Sequence, residues 1–198
     1  LNQDLSTGLG IYYLDKNLDI NDMGYLMRND WIMIGGRTQL QKTDFNTTSK
    51  TLMRTYQHSY GCRALSNGDK EGCFSGFEIK NQFKNTSQIE TEVFFRTNGR
   101  DNLITRGSEL APYIKLPQNY GIEFKYVGQK NKFWQWDLFA QRSKGSERSS
   151  ALGWRNKYYS SLKVFPLPNL TLRLSYSHEK DANWLNWIQD NFLGTYEK

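Results

Sequence analysis

Two glutamates in the segment QIETEVFFR come closest, within this chain, to a catalytic arrangement. Glu90 and Glu92 are two positions apart, and an extended segment places such residues on one face. Two carboxyl groups on one face are what a glycosidase uses as acid and as base or nucleophile. Lys80 and Arg96 are predicted to share that face, so ion pairing is the simpler interpretation. A glycosidase that uses Glu90 or Glu92 is therefore one hypothesis, beside two non-enzymatic ones.

No other grouping of residues indicates catalysis. The two histidines, His58 and His178, are about 120 positions apart and belong to different predicted strands. The sequence contains no Gly-x-Ser-x-Gly elbow, no His-Glu-x-x-His motif and no phosphate-binding loop. We therefore expect no catalytic residues, no metal site and no enzymatic activity in this segment.

The two cysteines, Cys62 and Cys73, enclose a segment rich in turn-forming residues. Glycine, serine, asparagine and aspartate lie between them in GCRALSNGDKEGC, which predicts a loop. Cysteines that bracket a loop between strands suit a disulfide, which would contribute about 2–3 kcal/mol to the free energy of unfolding. A disulfide predicts the periplasm or cell surface, and two unpaired thiols are the alternative.

The longest predicted connection, residues 97–119, is the best candidate for a functional loop. Loops of this length are usually functional or disordered. The side chains predicted to anchor it are Arg100, Asp101 and Arg106. Asp101, Asn102 and Glu109 have side-chain oxygens that could bind calcium, although their spacing does not match an EF-hand. The alternative to a calcium site is a salt bridge within a folded loop. We expect no cofactor, with calcium in this loop left open.

The elements that position these residues are predicted to be β-strands. In LTLRLSYSH, which begins at Leu170, apolar and polar residues alternate, so a strand there has one apolar and one polar face. Many predicted strands have about ten residues, whereas soluble strands usually have about 5–6 and tilted membrane-spanning strands need about 9–11. Ten strands are predicted, at residues 7–14, 25–41, 50–61, 74–84, 88–97, 120–127, 132–142, 150–165, 169–178 and 184–193.

The alternation also predicts which residues share a face. The apolar face would include Ile122, Phe124, Trp134, Trp136, Leu138, Leu170, Leu172 and Leu174. The polar face would include Glu78, Lys80, Glu90, Glu92, Arg96, Glu123, Lys125 and Arg173. Alternation does not distinguish a water-filled barrel interior from the solvent face of a soluble sheet.

Three observations favour lipid as the surroundings of the apolar face. The strands are long, and short and long connections alternate along the chain, as the periplasmic turns and external loops of outer-membrane barrels do. The connection 42–49 is longer than this pattern predicts. Aromatic residues typical of an interfacial girdle lie near strand ends, at Tyr120, Tyr126, Trp134, Tyr158, Tyr176, Trp184 and Trp187. The first hypothesis is therefore that the apolar set faces lipid and the polar set faces a lumen.

Composition excludes several other classes of protein. An aromatic content of 15% is too high for a disordered chain. The net charge of +6 comes from 26 basic residues scattered among 20 acidic ones without a basic run, so we expect no nucleic-acid partner. No apolar stretch of 18 residues occurs, so no transmembrane helix is predicted.

Three segments resemble one known family. They are NLDINDMGYLMRND, FEIKNQFKNTSQIETEVFFRTNGRDNLITRG and PNLTLRLSYSHEKDANWLNWI. They are similar to the domain of unknown function that follows a family 9 carbohydrate-binding module in large proteins of Gram-negative bacteria. The resemblance implies an outer-membrane β-barrel with that module upstream. Where the family commonly has Arg-Gly-Gly, this chain has Arg106-Gly107-Ser108.

Together these observations predict an all-β antiparallel up-and-down meander that forms all or part of a transmembrane outer-membrane β-barrel. We expect residues 1–198 to be a single barrel segment of a longer chain, with the remaining strands supplied by the same or another chain, because unpaired strand edges are not viable in lipid. The expected function is a non-enzymatic part of a pore, export or surface-anchoring protein in the outer membrane of a Gram-negative bacterium, with a glycan or secreted polymer as a possible ligand. The alternative is a carbohydrate-binding surface module that stacks sugars on Trp134, Trp136, Trp154 and Trp184.

Overall fold

The structure is a computed structural model that describes residues 3–14, 31–65, 68–101, 114–129, 133–145, 152–167 and 169–182. Eleven β-strands lie in these ranges: β1 Gln3–Leu14, β2 Trp31–Lys42, β3 Thr51–Leu65, β4 Lys70–Phe83, β5 Gln88–Arg96, β6 Gly99–Asp101, β7 Ile114–Leu116, β8 Asn119–Val127, β9 Trp134–Lys144, β10 Trp154–Leu167 and β11 Leu170–Asp181. No helix in the described ranges is long and apolar enough to cross a membrane.

Nine of the strands form one antiparallel sheet in the order β1-β2-β3-β4-β5-β8-β9-β10-β11. Each strand pairs with the next of these strands along the chain, so the sheet is a meander, and β6 and β7 form a separate two-stranded sheet within the β5–β8 connection. The prediction of an all-β antiparallel meander is confirmed. Among the described residues the sheet is open, with β1 and β11 at its edges.

The ends of the observed strands differ from the predicted ones by a few residues, and two differences go further than this. The predicted strand 184–193 lies outside the described residues. First, the prediction placed the cysteines beside a long loop, but β3 continues to Leu65 and β4 begins at Lys70. Cys62 and Cys73 are therefore directly opposite each other in the ladder and form a disulfide. Second, β6 and β7 were missed because three-residue strands have no measurable periodicity.

The register sorts the side chains onto two faces. Val93 on β5 lies opposite Phe77 and Ile122, and its neighbour Glu92 lies opposite Glu78 and Glu123. We call the side with Val93 the apolar face and the side with Glu92 the polar face. Alternation along each strand and pairing between strands then assign every register-paired residue to one of these faces.

The described residues contain very little buried apolar core. The buried hydrophobic side chains are Leu65, at the end of β3, and Ile114 and Leu116 on β7. On the apolar face Ile122 and Leu172 are 49% and 54% exposed, whereas on the polar face the Glu90 and Asp137 side chains are only 25% and 19% exposed. This is the reverse of a soluble sheet, in which the apolar side is the enclosed one.

Aromatic rings on the polar face lie against glycines of the next strand. Phe94 on β5 pairs with Gly76 on β4 and with Gly121 on β8. A Cβ atom on Gly121 would be 2.7 Å from Cζ of Phe94 and 2.7 Å from the carbonyl oxygen of Arg142. The absence of a side chain at this glycine therefore allows the ring to lie close against the backbone on the polar face of the sheet.

Candidate functional site: the polar face and its loop

One row of polar side chains crosses the whole sheet. The register places directly opposite each other, in order from β1 to β11, Ser6, Gln39, Gln57, Glu78, Glu92, Glu123, Gln141, Lys157 and Glu179. Residues that are directly opposite on one face have Cβ atoms about 4.5–5.5 Å apart, so this row is a continuous band of hydrogen-bonding and charged groups.

The next row has alternating charge around Glu90. Lys80 on β4 and Lys125 on β8 lie opposite Glu90 on either side. Their Nζ atoms are 3.8 Å and 3.7 Å from the Glu90 carboxylate oxygens. Glu90 is therefore held between two cations, which fits the ion-pair interpretation of the sequence.

Three carboxylates adjoin this ion-pair row. Glu78, Glu92 and Glu123 are direct neighbours across β4, β5 and β8. Gln141 on β9 donates a hydrogen bond of 2.7 Å to Glu123, and a carboxylate oxygen of Glu92 lies over Gly76, 2.9 Å from where a Cβ atom would be. Like charges directly opposite each other are destabilising, so this row is electrostatically unfavourable unless solvent or a ligand screens it.

A second cluster lies on the polar face of β9, β10 and β11. Lys163 is 3.0 Å from a carboxylate oxygen of Asp137, and Gln135 donates a hydrogen bond of 3.1 Å to the same residue. Arg173 donates a hydrogen bond of 3.0 Å to Ser161 and a second one to the Tyr159 hydroxyl. These groups hold one another in place on the polar face.

The β3–β4, β5–β8 and β9–β10 connections lie at one end of the sheet, which we call the long-loop end. A third cluster lies on β10 and β11 near this end. Arg155 donates two hydrogen bonds, of 2.9 Å and 2.6 Å, to one carboxylate oxygen of Glu179. Lys157 is 3.7 Å from the other oxygen of Glu179, and Arg155 is 3.6 Å from Asp181. Glu179 and Asp181 were not predicted as members of the polar face, because this strand was predicted to end at residue 178. The polar alternation through Ser177, Glu179 and Asp181 was the signal that could have identified them.

One of the residues predicted to anchor the long connection forms an ion pair with the neighbouring hairpin. Arg100 on β6 forms an ion pair with Asp69 at 2.6 Å, between the β5–β8 connection and the β3–β4 turn. Asp101 is buried at the end of β6, opposite Ile114. The structure therefore shows an ion pair for Arg100 and burial for Asp101. The other predicted anchor, Arg106, and the calcium candidates Asn102 and Glu109 lie outside the described residues.

An open depression of about 580 Å³ lies beside this ion pair. Lys70, Asn98, Gly99 and Lys115 line it together with the paired Asp69 and Arg100. In the described part of the chain, no three His, Cys, Asp or Glu side chains come together in a way that could hold a metal ion.

Each predicted face set lies on a single face of the sheet. The eight residues predicted for the polar side, from Glu78 to Arg173, are on the polar face. The eight predicted for the apolar side, from Ile122 to Leu174, are on the apolar face, as are Trp154, His58 and His178. Trp184 lies outside the described residues. The structure thus shows on which face of the sheet each residue lies. That the apolar face meets lipid and the polar face a lumen stays a prediction.

Comparisons of the chain with protein-family models, with curated proteins and with solved structures found no match.

Proposed function

We propose that this chain is part of an outer-membrane β-barrel of a Gram-negative bacterium, with lipid against the apolar face and water against the polar face. The distribution of exposure is the observation that carries the proposal. On the apolar face Ile122 and Val93 are 49% and 47% exposed, whereas on the polar face the ion-paired Lys163 and Asp137 side chains are 29% and 19% exposed. In water this arrangement would expose the apolar face of nine strands to solvent, whereas in a bilayer the lipid chains would cover that face.

Polar groups on the apolar face support the same assignment because several of them bond to each other. The Trp136 indole donates a hydrogen bond of 2.9 Å to Ser160, and a ring nitrogen of His58 is 2.9 Å from the Ser75 hydroxyl. Hydrocarbon offers no hydrogen-bond partner, so internal pairing lowers the free-energy cost of placing these groups in lipid.

The role we propose is passage, export or surface anchoring, without catalysis in this segment. The polar face offers closely spaced groups of both signs, which suit a wet wall along which a solute or a polymer, glycans included, could move. The resemblance to the domain that follows a family 9 carbohydrate-binding module supports a surface-associated role of this kind.

Depth-dependent quenching of tryptophan fluorescence tests the proposal. Two single-tryptophan variants of the full chain would be placed in vesicles that contain lipid brominated on its acyl chains. Trp136, on the apolar face, should be strongly quenched. Trp31, on the polar face with the Arg63 guanidinium 4.9 Å from its ring centroid, is the matched control and should keep its emission.

Equal quenching of the two tryptophans, or none in either, would contradict the assignment of the faces. A chain that stays soluble and monomeric without detergent would contradict the membrane proposal itself. A folded barrel should instead require detergent and migrate differently on a gel before and after boiling.

A further inference from the structure

The charged residues on the apolar face all have the same sign. Within the described strands of the nine-stranded sheet, every charged residue that the register places on this face is basic. These residues are Lys42, Arg54, Lys70, Arg142, Lys144 and Lys180. The polar face, by contrast, has both signs. A face that excludes carboxylates but accepts cations at its ends is electrostatically complementary to an anionic surface.

Three of these cations form a compact group with two aromatic rings at the long-loop end of β8 to β11. We call Tyr120, Arg142, Lys144, Trp154 and Lys180 the rim patch. Lys144 lies directly between Tyr120 and Trp154 in the register. Two residues further along these strands, away from the loops, Asn156 lies between Arg142 and Lys180.

The aromatic rings orient the cations of the rim patch. The Arg142 guanidinium is 4.6 Å from the centroid of the Trp154 ring, and Nζ of Lys144 is 5.8 Å from it. The Tyr120 ring meets the Trp154 ring edge-on, with 6.5 Å between centroids. A guanidinium that lies over an indole keeps its edge N–H groups free for a planar or tetrahedral oxyanion.

These cations have no ion-pair partner among the described residues. Arg142 and Lys180 are exposed, and Lys144 is half-exposed. The ion pairs of the described residues join residues of the polar face, or join Arg100 of β6 to Asp69 of the β3–β4 turn. This contrasts with Lys80 and Lys163 on the other face, each of which lies near a carboxylate. The rim patch is therefore charged and available to a ligand.

We propose that the rim patch binds the phosphate of an anionic lipid headgroup; this inference rests on the membrane location proposed above. Ile122 and Phe124 continue the same face from Tyr120 towards the middle of the sheet, as Ala140 and Leu138 do from Arg142. A ligand on the rim patch thus meets apolar surface on one side, which suits a phosphate that carries acyl chains rather than a free anion or an acidic protein segment.

The spacing along β9 fits the thickness of a bilayer. Trp134 and Arg142 are eight residues apart on one face, which is about 26 Å along a strand and about 20 Å in height at a barrel strand's usual tilt. The apolar band of an outer-membrane barrel is about 25 Å tall. Lys144, ten residues from Trp134, lies about 25 Å above it by the same geometry and would therefore reach the headgroup level when Trp134 lies at the opposite interface. Arg142 would lie about 5 Å below that level, and its long side chain would extend to it.

Lipid selection by the full-length protein tests this inference. The protein in detergent micelles would be titrated with phosphatidic acid, with phosphatidylcholine or with inorganic phosphate, and retained lipid would be counted by native mass spectrometry. The test variant is the triple substitution Arg142→Gln, Lys144→Gln and Lys180→Gln. The charge-matched control is Lys50→Gln, Lys84→Gln and Lys115→Gln, three exposed lysines in connections or on β7.

We expect the unmodified protein to retain phosphatidic acid in preference to phosphatidylcholine. The test variant should lose at least about tenfold in affinity for phosphatidic acid, since each basic residue near an anionic membrane surface adds to the attraction for anionic lipid. The control variant should lose less than about twofold, because its lysines lie off the apolar face. Both variants should keep the heat-dependent gel mobility of the folded protein.

Equal losses in the two variants would overturn the inference, as would equal retention of the two lipids. Effective competition by inorganic phosphate would also overturn it, because the acyl chains would then contribute nothing. If Trp136 is quenched by brominated lipid while the rim patch selects no lipid, the membrane proposal stands and this inference fails. If Trp136 is not quenched, the membrane proposal itself fails.

Discussion

Glu90 and Glu92 have the same chemistry and share a face of β5, yet their surroundings are opposite. Glu90 lies between Lys80 and Lys125, whereas Glu92 lies between Glu78 and Glu123. The sequence predicted that both glutamates share a face with basic residues. It did not predict which glutamate is paired, because that depends on the register between β4, β5 and β8, and alternation within one strand does not specify the register.

The two glutamates should therefore respond oppositely to neutralisation. Glu90→Gln removes the anion between two lysines and should lower the free energy of unfolding, while Glu92→Gln relieves repulsion and should leave it unchanged or raise it. Each effect should be below about 1 kcal/mol because the groups are solvent-accessible. Urea unfolding in vesicles would measure both variants, and the difference between them should shrink as salt rises.

The same sign of effect for both substitutions would show that the row of carboxylates is already neutralised by protons or by a bound cation.

Residues at the long-loop end were harder to predict. Asp69, the partner of Arg100, is 31 positions away from it in a different connection, so no local pattern joins them.

At the scale of elements, long strands with regular alternation were predicted well. The nine long strands of the sheet correspond to nine of the ten predicted strands, and their ends differ by a few residues. The largest error was in the β3–β4 hairpin, where the turn-forming residues suggested a loop from Cys62 to Cys73. The strands continue through them because Gly72, with a φ of 106°, accommodates the irregular register near the turn.

β5 allows its two faces to be tested by one substitution at adjacent positions. Val93→Arg places a cation on the apolar face near the middle of the strand, where it should cost about 2–4 kcal/mol if that face meets hydrocarbon. Glu92→Arg places the same side chain between Glu78 and Glu123 and should not destabilise the protein. Urea titration of each variant in lipid vesicles would measure the two free energies of unfolding.

Equal stability of the two arginine variants would mean that water lies on both sides of β5. A greater loss for Glu92→Arg would mean that the polar face is the more enclosed and drier side, and would reverse the proposed assignment.

At the scale of the whole molecule, the central question is the fate of the two sheet edges. In the described residues β1 and β11 each pair on one side. An antiparallel strand directs alternate backbone amides towards one neighbour and the rest towards the other side. Unpaired backbone groups are not tolerated in the hydrocarbon region, so membrane insertion requires that both edges find partners. The sequence did not predict where closure occurs, because no strand pattern identifies its non-local partner.

Hydrogen exchange in lipid can detect edge closure. We expect both alternating sets of β1 amides, and both sets in β11, to exchange slowly once the protein is in vesicles, because each edge would then be paired. The central strand β5, which has neighbours on both sides, provides the internal reference. Alternation of fast and slow amides along β1 would show an open edge and contradict a closed barrel.

The ion pair between Arg100 and Asp69 has a consequence for what could enter such a barrel. It ties β6 down towards the β3–β4 turn, and Gly99 lies so close to that hairpin that an added Cβ would be only 2.1 Å from the carbonyl oxygen of Glu71. In the barrel proposed above, these two contacts would hold β6 at a fixed distance from the β3–β4 turn. The space left beside β6 at that end of the barrel, and the largest solute that could pass it, would then depend on one arginine and one glycine.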